Sequence, residues 1–243
     1  MSIKVLVNGA AGRMGTEACI AVQKAEQLTL VGTCEKNENL AEKIQQTAAH
    51  VVVDFTTAEV GFENVNTILN AGARAVVGTS GFLPEQIAAL EKQCTSLNIG
   101  AIIAPNFSIA AVLMMQYAQD AARYYPQVEI IEMHHDGKLD SPSGTALKTA
   151  EMIAVNRKAA AEKPAEKAII AGARGAEHQA INIHSVRLPG LVAHQAVIFG
   201  GLGESLTIKH DSLHRVSFMP GVVLACEKVM NLNHLVYGLE HIL

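Results

Sequence analysis

Two kinds of segment alternate along the first hundred residues. Short apolar runs at Ile3 to Asn8, Leu28 to Cys34, Val51 to Phe55, Ala75 to Gly78 and Ile99 to Ala104 predict β-strands. Between them, Arg13 to Glu26, Val60 to Ala71 and Pro84 to Leu97 repeat apolar residues at intervals of three and four, the spacing of an amphipathic helix. Strand and helix in turn predict a parallel sheet covered by helices and joined by right-handed crossovers. The link from Glu35 to His50 is short, polar and only weakly helical, so the sheet is expected to be abbreviated there. Further on, the apolar stretch Val128 to Met133 and the helical composition of Ala146 to Val155 enclose a polar cluster, which places that cluster between a strand and a helix.

Composition narrows the class without naming an activity. The chain has 243 residues, 49% hydrophobic and 17% charged, enough for one large or two modest domains. No apolar run approaches the roughly 20 residues of a membrane span, and the N-terminus enters a strand pattern directly, so no membrane partner and a cytoplasmic location are expected. A formal net charge of -4, no basic stripe, no tryptophan and only 4% aromatic residues argue against nucleic acid as a partner. The cysteines, Cys19, Cys34, Cys94 and Cys226, show neither disulfide spacing nor a CxxC pair, and no metal site is expected.

The polar cluster reads EMHHDGKLDSPSGTA from Glu132 to Ala146. Backbone amides at Ser143, Gly144 and Thr145 would open the following helix, where unsatisfied N–H groups attract a carboxylate or phosphate. His134, His135 and Lys138 add donors, and imidazole and amine are the side chains most easily tuned to deliver a proton near neutral pH. The pattern suits an acidic small molecule that must also be protonated. At the first strand–helix junction, VNGAAGRMG places Gly9, Gly12 and Gly15 as in a Rossmann-type turn, spaced GxxGxxG rather than GxGxxG. Gly9 permits the tight exit, Gly12 lets backbone approach a pyrophosphate, and Gly15 lets the helix pack on the sheet. Glu35, at the end of the next strand, is positioned to accept hydrogen bonds from an adenosine ribose, whereas Lys36 and Arg13 could pair with a 2'-phosphate; both NADH and NADPH stay open. Polar turns at Gly78 to Gly81 and Ala104 to Ser108 end two further strands on the same edge, and Asp54 either joins them or caps the next helix.

Taken together, GAAGRMG, DFT at Asp54, GTSGF at Gly78, APNFS at Ala104 and the HHxxKxDxPSGTA element resemble the dihydrodipicolinate reductase family, in family order and over almost the whole chain. The resemblance implies NADH- or NADPH-dependent reduction of a cyclic dicarboxylate, 4-hydroxy-tetrahydrodipicolinate, in diaminopimelate and lysine biosynthesis. It places the catalytic pair on His134 and Lys138, without deciding which donates the proton, and substrate contacts on His135, Ser143, Gly144, Thr145 and Arg215. Cofactor contacts fall on Gly9, Ala10, Ala11, Gly12, Arg13, Met14, Glu35, Lys36, Gly78, Thr79, Ser80, Ala104, Pro105, Asn106 and Phe107.

The implied fold is α/β, a Rossmann-type parallel-sheet domain (1–107 and 215–243) plus an α+β domain with a mostly antiparallel sheet (108–214). The latter would hold the substrate and build a homotetramer. Its strands at Ala180 to Arg187, Val192 to Gly200 and Glu204 to Asp211 look antiparallel, and Val216 to Leu243 looks helical. Against longer family members, the region between Lys36 and Val51 lacks a strand and a helix, and Thr57 and Ala58 follow DFT where many members carry an arginine. Two rivals stand beside this reading: a non-catalytic dinucleotide sensor, and an aspartate dehydrogenase-like imine reductase.

Overall fold

The structure, a computed structural model, describes residues 2–79, 81–158, 167 and 169–243. It divides into two compact units, Met1–Ile109 with Arg215–Leu243, and Ala110–His214. In chain order the first unit begins β1 (Ile3–Asn8), α1 (Arg13–Lys24), β2 (Leu28–Cys34), α2 (Leu40–Thr47), β3 (Val51–Asp54), α3 (Ala58–Asn70), β4 (Arg74–Val77), α4 (Pro84–Leu97) and β5 (Ala101–Ile103). The second unit holds α5 (Ile109–Ala121), β6 (Gln127–His134), α6 (Gly144–Asn156), β7 (Ala176–His178), β8 (Ile181–Arg187), β9 (Ala193–Gly201) and β10 (Glu204–Ser212). The chain then returns to the first unit with α7 (Met219–Lys228) and β11 (Leu235–Tyr237).

The first unit is a six-stranded parallel sheet in the order β11-β5-β4-β3-β1-β2. Its central strands are apolar without a break because both faces are covered. Leu6, Val52, Val77 and Ile103 pack into one cluster with Ile44, Val65, Leu69 and Leu90 from α2, α3 and α4. Helix α7 packs against α1 and reaches β1, β3 and β4. Two expectations change here. The link after Glu35 is not merely polar: Asn39 caps α2, its Oδ1 accepting from the Glu42 amide at 3.3 Å, and Leu40 and Ile44 bury one face. A helix of eight residues offers too few apolar positions to show a period. The C-terminal segment is not wholly helical either, since Leu235, Val236 and Tyr237 pair in parallel with Ala101, Ile102 and Ile103 as the sixth strand. Three residues carry no readable alternation, and the open edge of β5 supplies the pairing that decides their conformation.

The second unit carries a five-stranded sheet in the order β10-β9-β6-β8-β7. Strands β10 and β9, β9 and β6, and β7 and β8 pair antiparallel, but β6 and β8 run parallel, with His134 opposite Arg187. The mostly antiparallel sheet expected of this unit is therefore observed, with β6 and β8 as a parallel pair within it. The intervening α6 is the kind of crossover that a parallel pair needs. Along β6, Val128, Ile130 and Glu132 point to the buried face, while Glu129, Ile131 and Met133 face the other way. Ala146, Thr149, Ala150 and Ile153 of α6 are buried, and Gln195 Nε2 of β9 donates to Thr149 Oγ1 at 2.7 Å, tying the helix to the sheet.

Candidate functional site

In the first unit, sheet hydrogen bonding continues past the strand ends and lines up the loops that follow. Gly9 N donates to Cys34 O, Phe55 N to Asn8 O, Gly78 N to Asp54 O and Ala104 N to Val77 O, at 2.9 to 3.1 Å. Gly9, Gly78 and Ala104 are thus held on one edge, the carboxyl end of a parallel sheet where ligands bind. The glycine turn is tight. Gly9 has φ of 76°, and a Cβ on Gly15 would lie 2.1 Å from the Gly9 carbonyl oxygen, so α1 starts directly against the turn. No side chain caps α1 at Gly12, and its first turn holds no acidic residue. An uncapped helix start beside a glycine turn fits a pyrophosphate. Ala10, Ala11, Arg13 and Met14 form the rest of the turn and first helical residues, with Ala11 and Arg13 exposed. Glu35 Oε1 accepts from Ala11 N at 2.7 Å, bringing its carboxylate to the turn, while Lys36 is exposed beside it.

Asp54 does not cap α3, whose N-cap is Thr57. Its buried carboxylate instead accepts from Asn8 Nδ2 at 2.9 Å, Asn64 Nδ2 at 2.8 Å, Thr56 Oγ1 at 2.6 Å and Thr79 Oγ1 at 3.4 Å. One acceptor therefore fixes the ends of β1 and β3 and the loop after β4. Gly78 leaves room for the Phe55 ring, which a Cβ there would meet at 2.1 Å, and Phe55 stands edge-on to Phe107 with centroids 5.9 Å apart. Pro105 is exposed and Asn106 Oδ1 accepts from Ser108 N at 2.9 Å, an Asx turn that shapes this loop. Ser80 lies outside the described residues. Gly221 went unnoticed in the sequence, yet a Cβ there would sit 2.0 Å from Phe107 O, so α7 packs directly beneath the 104–107 loop.

In the second unit the loop from His134 to Thr145 is built around charges. His134 O accepts from Leu188 N at 3.1 Å, which anchors the end of β6 to the segment after β8. Lys138 N donates to His135 O at 3.1 Å and closes a turn through Asp136 and Gly137. Lys138 Nζ bonds both carboxylate oxygens of Asp140 at 2.7 and 2.8 Å, and this hydrogen bond holds the Asp140 carboxyl below its usual range. His134 Nδ1 is 2.5 Å from Glu132 Oε2. Arg187 grips the same carboxylate with Nη1 and Nη2, at 2.9 and 2.8 Å, and Nη2 also donates to Asp140 O at 2.7 Å. Burial of Glu132 pushes its pKa up, but hydrogen bonds from His134, Arg187 and Ser185 outweigh it and bring the carboxyl down to about 2.

Ser143 is buried and serves the helix start: its hydroxyl accepts from Ala146 N at 3.3 Å, and its amide donates to Glu132 Oε1 at 3.3 Å. Gly144, exposed, and Thr145, half-buried, are the first residues of α6. Arg215 is half-buried in a 3-10 turn, Arg215–Phe218, of the first unit. Glu132, Asp140 and Arg187 were missed as site residues. The signal for Glu132 was available, since a carboxylate on the apolar face of a strand demands a cationic partner. Chemically, the loop gathers an imidazole oriented by a carboxylate, an ammonium and a helix N-terminus, a set able to hold an acidic molecule and deliver a proton to it.

The dihydrodipicolinate reductase N-terminus description matches residues 3–107, and the dihydrodipicolinate reductase C-terminus description matches residues 110–243. A 4-hydroxy-tetrahydrodipicolinate reductase of Legionella pneumophila is 54% identical over 243 residues, covering 100% of both chains. One from Listeria welshimeri is 53% identical over 264 aligned residues, covering 99% of this chain and 100% of its own. Among solved structures, a dipicolinate-bound dihydrodipicolinate reductase from Paenisporosarcina sp. TG-14 is similar with a TM-score of 0.91 and 44% identity, covering 100% of both chains. Fold, motifs and full-length similarity agree, and the chain belongs to the dihydrodipicolinate reductase family.

Proposed function

We propose that this chain reduces 4-hydroxy-tetrahydrodipicolinate to tetrahydrodipicolinate with NADH or NADPH, a step of diaminopimelate and lysine biosynthesis. The observation that carries the proposal is the loop from His134 to Thr145, where an imidazole held by a carboxylate and an ammonium lie in one turn with the head of α6. Gly9 to Met14, Glu35, Lys36, Gly78, Thr79, Ser80 and Ala104 to Phe107 hold the dinucleotide, which supplies hydride from its nicotinamide when bound. The carboxylate of Glu35 at the turn favours a ribose diol over a 2'-phosphate, because like charges repel.

His135, Gly144, Thr145 and Arg215 hold the substrate carboxylates, with Ser143 fixing the helix start. His134 and Lys138 stand on the substrate and give the proton that neutralises the reduced product; Asp140 keeps the Lys138 ammonium aimed in the turn. Dipicolinate, the ligand of the Paenisporosarcina relative, is a planar cyclic dicarboxylate and supports this substrate class. The protein works in the cytoplasm as a homotetramer. Supporting the assembly, half-buried Ile131 and Ile198 on the outward face of the second unit's sheet line a cavity of about 380 Å³ together with Glu129 and His184.

Competition tests the substrate assignment. Dipicolinate should compete with the substrate, whereas pyridine-2-carboxylate, lacking one carboxylate, should compete far more weakly; equal inhibition by both would refute the two-carboxylate site. Light scattering should give the mass of four chains, and a monomer would refute the assembly.

A further inference from the structure

We infer that Glu132 is a positioning residue of the reduction: its buried carboxylate holds His134 in the tautomer with hydrogen on Nδ1 and leaves Nε2 as the ring nitrogen that meets the substrate. The inference rests on the proposed role of His134. Residues two apart on a strand share a face, which is why Glu132 and His134 meet at the end of β6. The Glu132 side chain is 0% exposed. Its oxygens face Arg187 Nη1 and Nη2, the Ser143 amide, the Ser185 hydroxyl and His134 Nδ1. A guanidinium and a backbone amide only donate, the Ser185 hydroxyl donates to this carboxylate, and a carboxylate held ionised only accepts, so the hydrogen between Glu132 and His134 must sit on Nδ1. Among the described residues no group bonds Nε2, so the second nitrogen stays available.

Packing alone does not account for this carboxylate. Val128 and Ile130, on the same face of β6, are apolar, and a buried ion pair adds little stability over well-packed apolar residues. What the pair does instead is join three parts of the site. Glu132 holds the His134 ring directly and the head of α6 through the Ser143 amide; through Arg187 it also holds the carbonyl of Asp140, the residue whose carboxylate pairs with Lys138. A fixed tautomer is what an imidazole needs to present the correct nitrogen to a reacting group.

Ring nitrogen NMR on protein labelled with 15N-histidine tests the tautomer without any substitution, the His134 signals being assigned by their loss in His134→Gln. With the ring neutral, His134 should carry hydrogen on Nδ1; hydrogen on Nε2 overturns the inference, whatever the protein's activity. Turnover supplies the second arm. Glu132→Gln should lower kcat roughly 10²-fold with KM for NADH unchanged, the size expected when a general acid is misaligned. In a His134→Gln background the same change should cost much less, because the residue through which Glu132 chiefly acts is gone. An equal loss in both backgrounds marks a merely structural role and refutes the proposal. Absence of substrate turnover in the unsubstituted protein refutes the reductase reading instead, and leaves the tautomer result standing.

Discussion

Replacing Arg187 by methionine isolates the energetics of the buried carboxylate. Glu132 would keep His134 and the Ser143 amide but lose both guanidinium bonds, 2.8 and 2.9 Å long. The depression of its pKa from the usual 4.5 to about 2 corresponds to about 3 kcal/mol in favour of the ionised form, the net of burial against hydrogen bonds from His134, Arg187 and Ser185, so Arg187 supplies only part of it. Losing one member of a buried pair costs about 3 to 5 kcal/mol by general experience, which sets the expected size of the loss. A loss of about 3 kcal/mol should lower the melting temperature by roughly 6 to 12 °C for a chain of this length.

The pH dependence carries a definite sign. A carboxyl whose pKa is depressed on folding stabilises the protein fully above its unfolded value and loses that contribution as pH falls through the folded value. The deficit of Arg187→Met should therefore be complete at pH 7 and shrink as pH is lowered from 4.5 toward 2. Calorimetry across that range is the assay. A deficit below about 1 kcal/mol at pH 7, the size of an exposed pair, would refute the reasoning.

Three further outcomes follow from the geometry. Gly15→Ala places a Cβ 2.1 Å from the Gly9 carbonyl oxygen, so α1 must shift and NADH affinity, read by fluorescence titration, should fall at least tenfold; unchanged affinity would mean that the turn does not hold the dinucleotide. Glu35→Ala removes the carboxylate that bonds the Ala11 amide and should weaken NADH more than NADPH, and equal effects in paired titrations would count against the ribose assignment. Lys138→Ala and His134→Gln should each cut turnover by about 10²- to 10⁴-fold while NADH binding persists; parallel loss of both would contradict the division between cofactor and substrate residues.

Much of the first unit was legible because its demands are local. A glycine turn between strand and helix writes itself as Gly9, Gly12 and Gly15, and doubly covered strands write themselves as apolar runs such as Val51 to Val53. The His134 loop was legible for the same reason, as polar chemistry packed between two apolar elements. What sequence hid was set by pairing between distant segments. Arg187 meets Glu132 only because β8 runs parallel to β6 and brings residue 187 opposite residue 134, a register with no local signature. Strand β11 owes its conformation to the edge of β5, and α2 to a single Asn39 cap with two buried side chains, Leu40 and Ile44. Asp54 stayed open between the sheet edge and a helix cap because Asp commonly is one; its four side-chain partners come from β1, α3 and the loops after β3 and β4.

The most direct test of the central claim is NADH and NADPH oxidation by the purified protein with freshly generated 4-hydroxy-tetrahydrodipicolinate, run beside Lys138→Ala. The account predicts oxidation that depends on the cyclic substrate and collapses in Lys138→Ala. Dinucleotide binding without substrate-dependent oxidation would contradict it.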